Sequence, residues 1–288
     1  MGTFTSLNVP IWNEDVRYFD VLDARTGRFL SGFYLDLYPR EGKYNHAAAF
    51  PVRGASRLAH RTPLSVLVAN LNRDGLTGDE LEVLMHEFGH VLHGVLSQAD
   101  YNPQAGTSVK NDFVEAPSQM FEEWAHRAQA LALFKEVCPD CPQLTRDDIA
   151  NQEAARRFGR GIFYARQWLY ATFDMALATD PQPPLAVWKK LEEATPFGFV
   201  EGTSFPSAFR HIAENYAAGY YGYMWSRVIA LDMLTPFLPD MLDPKVGARY
   251  RDAILSQGGQ EEETAMVRRF LGRAPSNEAF FAEITGRR

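Results

Sequence analysis

The 288-residue sequence predicts an α+β fold, mainly α-helical, with a small β-sheet confined to the first quarter of the chain, within about 17–72. Before residue 72 the apolar residues fall into short β-branched and aromatic runs bounded by turn residues, and after Thr77 they recur at intervals of three and four. A further observation sets the organisation. No internal repeat, low-complexity tract or long linker divides the chain, so one domain over 1–288 is the simplest expectation.

The strands come first. Residues 19–23 and Phe29–Tyr38 flank the turn-rich stretch Ala24-Arg25-Thr26-Gly27, which predicts a hairpin whose glycine takes the positive φ. A third run, Ser65 to Leu71, is β-branched and apolar. The helices begin at a capping box, Thr77 to Glu80, in which the threonine hydroxyl accepts the Glu80 amide and the glutamate reaches back. Leu81, Leu84, Met85, Phe88, Leu92, Val95 and Leu96 then form one apolar stripe. Further helices are predicted over 113–137, 146–178, 184–194, 216–234, 245–257 and 261–271, separated by Pro- and Gly-containing turns.

Composition narrows the function classes. Hydrophobic residues at 46% and charged residues at 23% describe an ordinary globular chain, and the formal charge of −7 is spread along it. With no Lys/Arg-rich run to follow a phosphate backbone, nucleic acid is not an expected partner. No apolar stretch approaches the roughly 20 residues that span a bilayer, and the start MGTFTSLNVP lacks the features of a secretory signal, so a cytoplasmic location is the default. Gly2 with Ser6 fits the short myristoylation pattern, a match common by chance. The two cysteines, Cys138 and Cys141, read as free thiols in an inter-helix loop, with a local disulfide as the less favoured reading.

The stretch HEFGHVLH carries the chemistry. His86 and His90 lie four residues apart on one helix face, close enough to share a Zn²⁺ ion, while Glu87 is rotated around the helix and suited to hydrogen-bond a water. His93 competes for the third ligand place, but at about 1.5 Å rise per residue it lies roughly 10 Å along the axis from His86 and reads as support or packing. A carboxylate from a second helix suits the geometry better. Glu115 is the best candidate, Glu122 and Glu123 are alternatives, and Glu122 is also placed to orient a ligand. Downstream, Tyr216, Tyr220 and Tyr223 follow a four-then-three spacing that predicts three hydroxyls on one helix face, preceded by His211. Phenolic and imidazole donors are suited to stabilising an oxyanion.

HEFGHVLH followed by GTSVKNDFVEAPSQ resembles the thimet oligopeptidase, oligopeptidase A and dipeptidyl carboxypeptidase family of zinc metallopeptidases, and the likeness extends over nearly the full chain. The resemblance implies a zincin-like catalytic domain, one Zn²⁺ held by His86, His90 and Glu115, and Glu87 as general base. It implies His211, Tyr216 and Tyr223 as groups that stabilise the transition state, Tyr220 as a substrate-binding residue, and short peptides as substrates. It also implies a sheet, including Gly32–His46 and residues 64–70, whose edge pairs with substrate backbone. Two departures temper it. Arg210, Glu214 and Asn215 stand where the family places glycines in a mobile loop, so hinge behaviour is not carried over. The family's long N-terminal helical wall is absent from this sequence, which leaves two expectations: a minimal enzyme with an open cleft, or a chain that needs a partner or self-association to replace the wall. The alternative function is a zinc-binding but inactive partner subunit.

Overall fold

A computed structural model describes residues 9–141, 143–213 and 216–286; Gly2, Ser6, Glu214 and Asn215 lie outside the described residues. The sheet has four strands, β1 (Arg17–Leu22), β2 (Phe29–Asp36), β3 (Ala48–Arg53) and β4 (Leu64–Val68), in the order β1-β2-β4-β3. The first pair is the expected hairpin, and Gly27 takes φ +68 in its turn. Strand β3 is an addition to the sequence reading. Its segment AAFPVR contains Pro51, which argues against an interior strand, but β3 pairs only with β4 and tolerates the proline at the sheet edge. Because β2 and β4 run parallel, β4 slots between hairpin and edge. Lys43, in the β2–β3 connection, is almost fully buried and donates to the carbonyls of Asp36, Tyr38 and Ala69, tying that connection to the sheet.

Helix α1 (Gly78–Val95) starts at the expected capping box, with Thr77 Oγ1 accepting the Glu80 amide at 3.2 Å and Glu80 accepting the Thr77 amide at 2.8 Å. One face of α1 covers the sheet, where Leu84 and Phe88 join Phe33, Leu67, Val91 and Val95. Its other face meets α2 (Asn111–Glu122). Since α1 is covered on two sides, its most buried positions are Gly89, Val91, His93 and Val95, and much of the anticipated stripe is only half-buried.

The helix expected over 113–137 is broken. A 3-10 turn over Glu123–His126 follows α2, then come the short α3 (Ala128–Leu131) and α4 (Phe134–Val137). The backbone leaves helical geometry at Arg127 (φ −99, ψ 129), just after Glu123, which is sealed beneath three arginines, and Trp124, whose Nε1 donates to the Met241 carbonyl. The helix expected over 146–178 is likewise two, α5 (Arg146–Arg157) and α6 (Arg160–Thr179), divided at Gly159 with φ +73. Helix α7 (Pro184–Glu193) agrees with expectation.

Helix α8 begins at Gly222 and runs to Leu234, so residues 216–221 form a turn and not the helical start that the tyrosine spacing suggested. Ala218 there has φ +57. The chain then forms α9 (Pro244–Tyr250), continued by a π turn to Leu255, then α10 (Glu263–Leu271) and the unanticipated α11 (Glu278–Ile284). The largest core packs α2 and α8 with α10 and α11 around Phe113, Met120, Leu231, Leu234 and Phe270. A separate aromatic cluster, including Phe173, Trp188, Phe209 and Tyr220, joins α6 and α7 to the segment before α8. The expectation of free thiols is corrected: Cys138 and Cys141 form a disulfide that spans Pro139 and Asp140 in the loop after α4.

Candidate active site

Close approach of α1 and α2 builds the site. A Cβ on Gly89 would lie 2.6 Å from Ser118 Cα, so only glycine permits this spacing. Across the contact, Glu115 Oε2 stands 3.3 Å from His86 Nε2 and 3.1 Å from His90 Nε2. The three ligand atoms all lie within 4.8 Å of one another. Tetrahedral bonds of about 2.0–2.2 Å require neighbouring donors about 3.4 Å apart, so two imidazoles and a carboxylate in this arrangement fit Zn²⁺. Chemistry and spacing agree.

Supporting groups fix the ligands. Glu122 Oε1 lies 2.8 Å from His86 Nδ1, which leaves Nε2 facing Glu115. Its other oxygen accepts from Arg227 at 3.3 Å. Burial pushes the Glu115 carboxyl up, but hydrogen bonds and charge from His86 and His90 outweigh it and hold the group well below the usual carboxylate range. Burial lowers the His86 pKa, but Glu115 and Glu122 overcome it and raise the imidazole to about 10. The remaining glutamate alternative, Glu123, is fully buried and turned away, bonded to Arg127, Arg156 and Arg227. His93 is also fully buried, with neither ring nitrogen hydrogen-bonded among the described residues, and burial pushes it down to about 3, so it packs as a neutral ring.

Glu87 is half-buried beside the histidines. Burial raises its carboxyl above the ordinary value, while the charges of His86 and His90 pull it back. The aromatic donors gather on the opposite side. His211 sits in a 3-10 turn with its ring 5.8 Å from Tyr216, 5.1 Å from Tyr220 and 5.8 Å from Tyr223. The turn over 216–221 and the first helical residues thus bring together what a single helix face was expected to present. Tyr216 donates to Glu115 Oε1 at 2.5 Å, whereas Tyr220 is buried and donates to Gln167 Oε1 at 3.0 Å. Burial, and then the Glu115 charge, raise the Tyr216 and Tyr223 pKa values; burial raises Tyr220 to about 12. All three phenols therefore stay protonated donors near neutral pH.

Two cavities are lined by members of the candidate ligand set. One of about 440 Å³ is lined by residues 49–54 of the sheet edge together with His90, Glu115 and Tyr216. The other, about 360 Å³, is lined by His86, Glu122, Gln167, His211, Tyr220 and Tyr223.

The model of peptidase family M3 matches residues 5–286. The chain belongs to peptidase family M3. Among relatives of this M3 chain, the thimet-like oligopeptidase of Dictyostelium discoideum is 32% identical over 95% of the chain and 43% of its own length. Oligopeptidase A of Escherichia coli is 35% identical over 94% of the chain and 42% of its own. The M3 chain thus spans less than half the length of the curated relatives it matches. Trypanosoma cruzi metallocarboxypeptidase 1 shares the fold at TM-score 0.52 and 12% identity, over 88% of the chain and 56% of that structure. Among the described residues no helix is long and apolar enough to cross a membrane.

Sequence reasoning did not single out Arg227, Asp174, Gln167 or the packing role of Gly89. Asp174 carried a usable signal, since it is the one charge over residues 167–179 of a helix rich in apolar residues, where burial demands a partner. The sequence could not say which partner.

Proposed function

We propose that this chain is a zinc-dependent metallopeptidase that hydrolyses short peptides. The observation that carries the reading is the convergence of His86, His90 and Glu115 from two helices at 3.1 and 3.3 Å, with Glu87 beside them. When bound, a zinc ion supplies a Lewis acid that activates water and polarises the scissile carbonyl. Glu87 takes the proton from the attacking water and delivers it to the leaving amine, a task helped by its raised pKa. Tyr223, Tyr216 and His211 donate to the oxyanion as it forms, and Tyr220 lines the substrate's path. Tyr216 has one proton to give, so its bond to Glu115 yields when the oxyanion develops. The free edge of β3, which lines one cavity, supports backbone pairing with an extended peptide.

The decisive experiment combines metal analysis with cleavage of a quenched fluorescent peptide. The expected outcome is about one zinc per chain, and a kcat for Glu87→Gln lower by about 10²- to 10⁴-fold with zinc retained. Zinc binding with no Glu87-dependent cleavage overturns the enzyme reading in favour of an inactive binding subunit.

A further inference from the structure

No step of the proposed chemistry uses Asp174, yet it is a carboxylate with 2% exposure and the one charged residue over 167–179 of α6. A buried carboxylate is costly unless hydrogen bonds compensate it. Both oxygens are compensated by backbone: Oδ1 accepts the Ala218 amide at 2.8 Å and Oδ2 accepts the Tyr220 amide at 3.0 Å. These amides bracket Gly219 in the turn where Ala218 adopts φ +57, a conformation that non-glycine residues rarely hold unless their surroundings enforce it. From the same helix, Gln167 accepts the Tyr220 hydroxyl. Helix α6 therefore grips the turn at three points. The two ends of that turn are Tyr216, whose hydroxyl is on Glu115, and the segment leading to Tyr223.

We infer that Asp174 is a positioning residue, a carboxylate clamp that holds the 216–221 turn in the one conformation presenting Tyr216 and Tyr223 to a substrate. It touches neither substrate nor metal ligands. Freed from the clamp, Ala218 relaxes toward negative φ and redirects the chain between Tyr216 and Tyr220. The inference rests on the reading that the tyrosine hydroxyls act on substrate, so its test separates the two.

Asp174→Asn, which keeps the shape and one acceptor, and the more severe Asp174→Ala are compared with Tyr216→Phe and with the double variants. Three quantities are followed: amide hydrogen exchange, zinc affinity and peptidase kinetics. The clamp predicts that exchange at Ala218 and Tyr220 rises about tenfold or more while α8 stays protected. It also predicts a kcat lower by about tenfold or more with zinc affinity within about threefold of the parent, and a loss much smaller when Tyr216 is already phenylalanine. Losses that simply multiply with Tyr216→Phe, or raised exchange with unchanged kcat, overturn the positioning role. Unchanged exchange overturns the clamp itself. Should Tyr216→Phe be as active as the parent, the tyrosine reading fails on its own while exchange still decides the clamp; should Asp174→Ala not fold, Asp174→Asn carries the comparison.

Discussion

A partner on the far nitrogen orients an imidazole ligand and raises its basicity; Glu122 occupies Nδ1 of His86 at 2.8 Å, whereas Nδ1 of His90 has no hydrogen-bond partner among the described residues. Replacing Glu122 with Gln removes the charge but keeps the shape, and zinc affinity is expected to fall by about 10- to 100-fold, read by competition with a chromophoric chelator. Glu123→Gln is the contrast. It leaves Arg127, Arg156 and Arg227 short of a buried countercharge, so folding stability drops by about 3–5 kcal/mol in a denaturant titration, with far less change in zinc affinity than Glu122→Gln causes. At this scale the sequence was informative where chemistry depends on local spacing: His86, Glu87 and His90 are read from one helix. It was mute where partners lie far apart, as for Arg227 and Glu123, 104 residues distant, because a lone charge reveals that it needs a partner and not which one it takes.

The contact between α1 and α2 depends on a missing side chain. A methyl at Gly89 would press on Ser118 Cα at 2.6 Å and on the Pro117 carbonyl at 3.2 Å, and backbone cannot move aside as a side-chain tip can. Gly89→Ala is therefore expected to cost about 1–3 kcal/mol by overpacking and to weaken zinc binding as the helices separate, measured by thermal melts with and without zinc. Had the contact been loose, alanine would stabilise the helix through better propensity, so the sign of the change is the test. Elements with strong local signals, the capping box at Thr77 and the hairpin at Gly27, were legible. Strand β3 was hidden by Pro51, the helix expected over 113–137 is interrupted where Arg127 turns extended, and the one expected over 146–178 is divided at the left-handed Gly159.

Across the molecule, an ion network fastens the last helix to the site. Arg227 of α8 donates to Glu122 and Glu123 and to Glu283 of α11, while Arg160 and the Tyr164 hydroxyl of α6 also reach Glu283. Burial pushes Glu283 up, but the Arg227 charge and the Tyr164 hydroxyl outweigh it and hold the group at about 2, against an ordinary 4.5. A carboxyl depressed on folding stabilises fully above its unfolded value and loses that contribution as pH falls from 4.5 toward 2, here roughly 3 kcal/mol. Glu283→Gln should accordingly be less stable than the parent at pH 7, and the two urea-unfolding curves should converge as pH approaches 2. A constant gap across that range would show that Glu283 stabilises by packing and not by charge. This tie was beyond the sequence reading, which did not anticipate α11.

The separations along the chain give the site an order of assembly. His90 and Glu115 are 25 residues apart, while Glu115 and Tyr216 are separated by 101, so loop closure for the second contact costs about 1 kcal/mol more and waits on much later synthesis. On a ribosome, the ligand set is complete before the tyrosine turn exists. On the proposed reading, a growing chain therefore acquires its metal site before the donors that complete its chemistry.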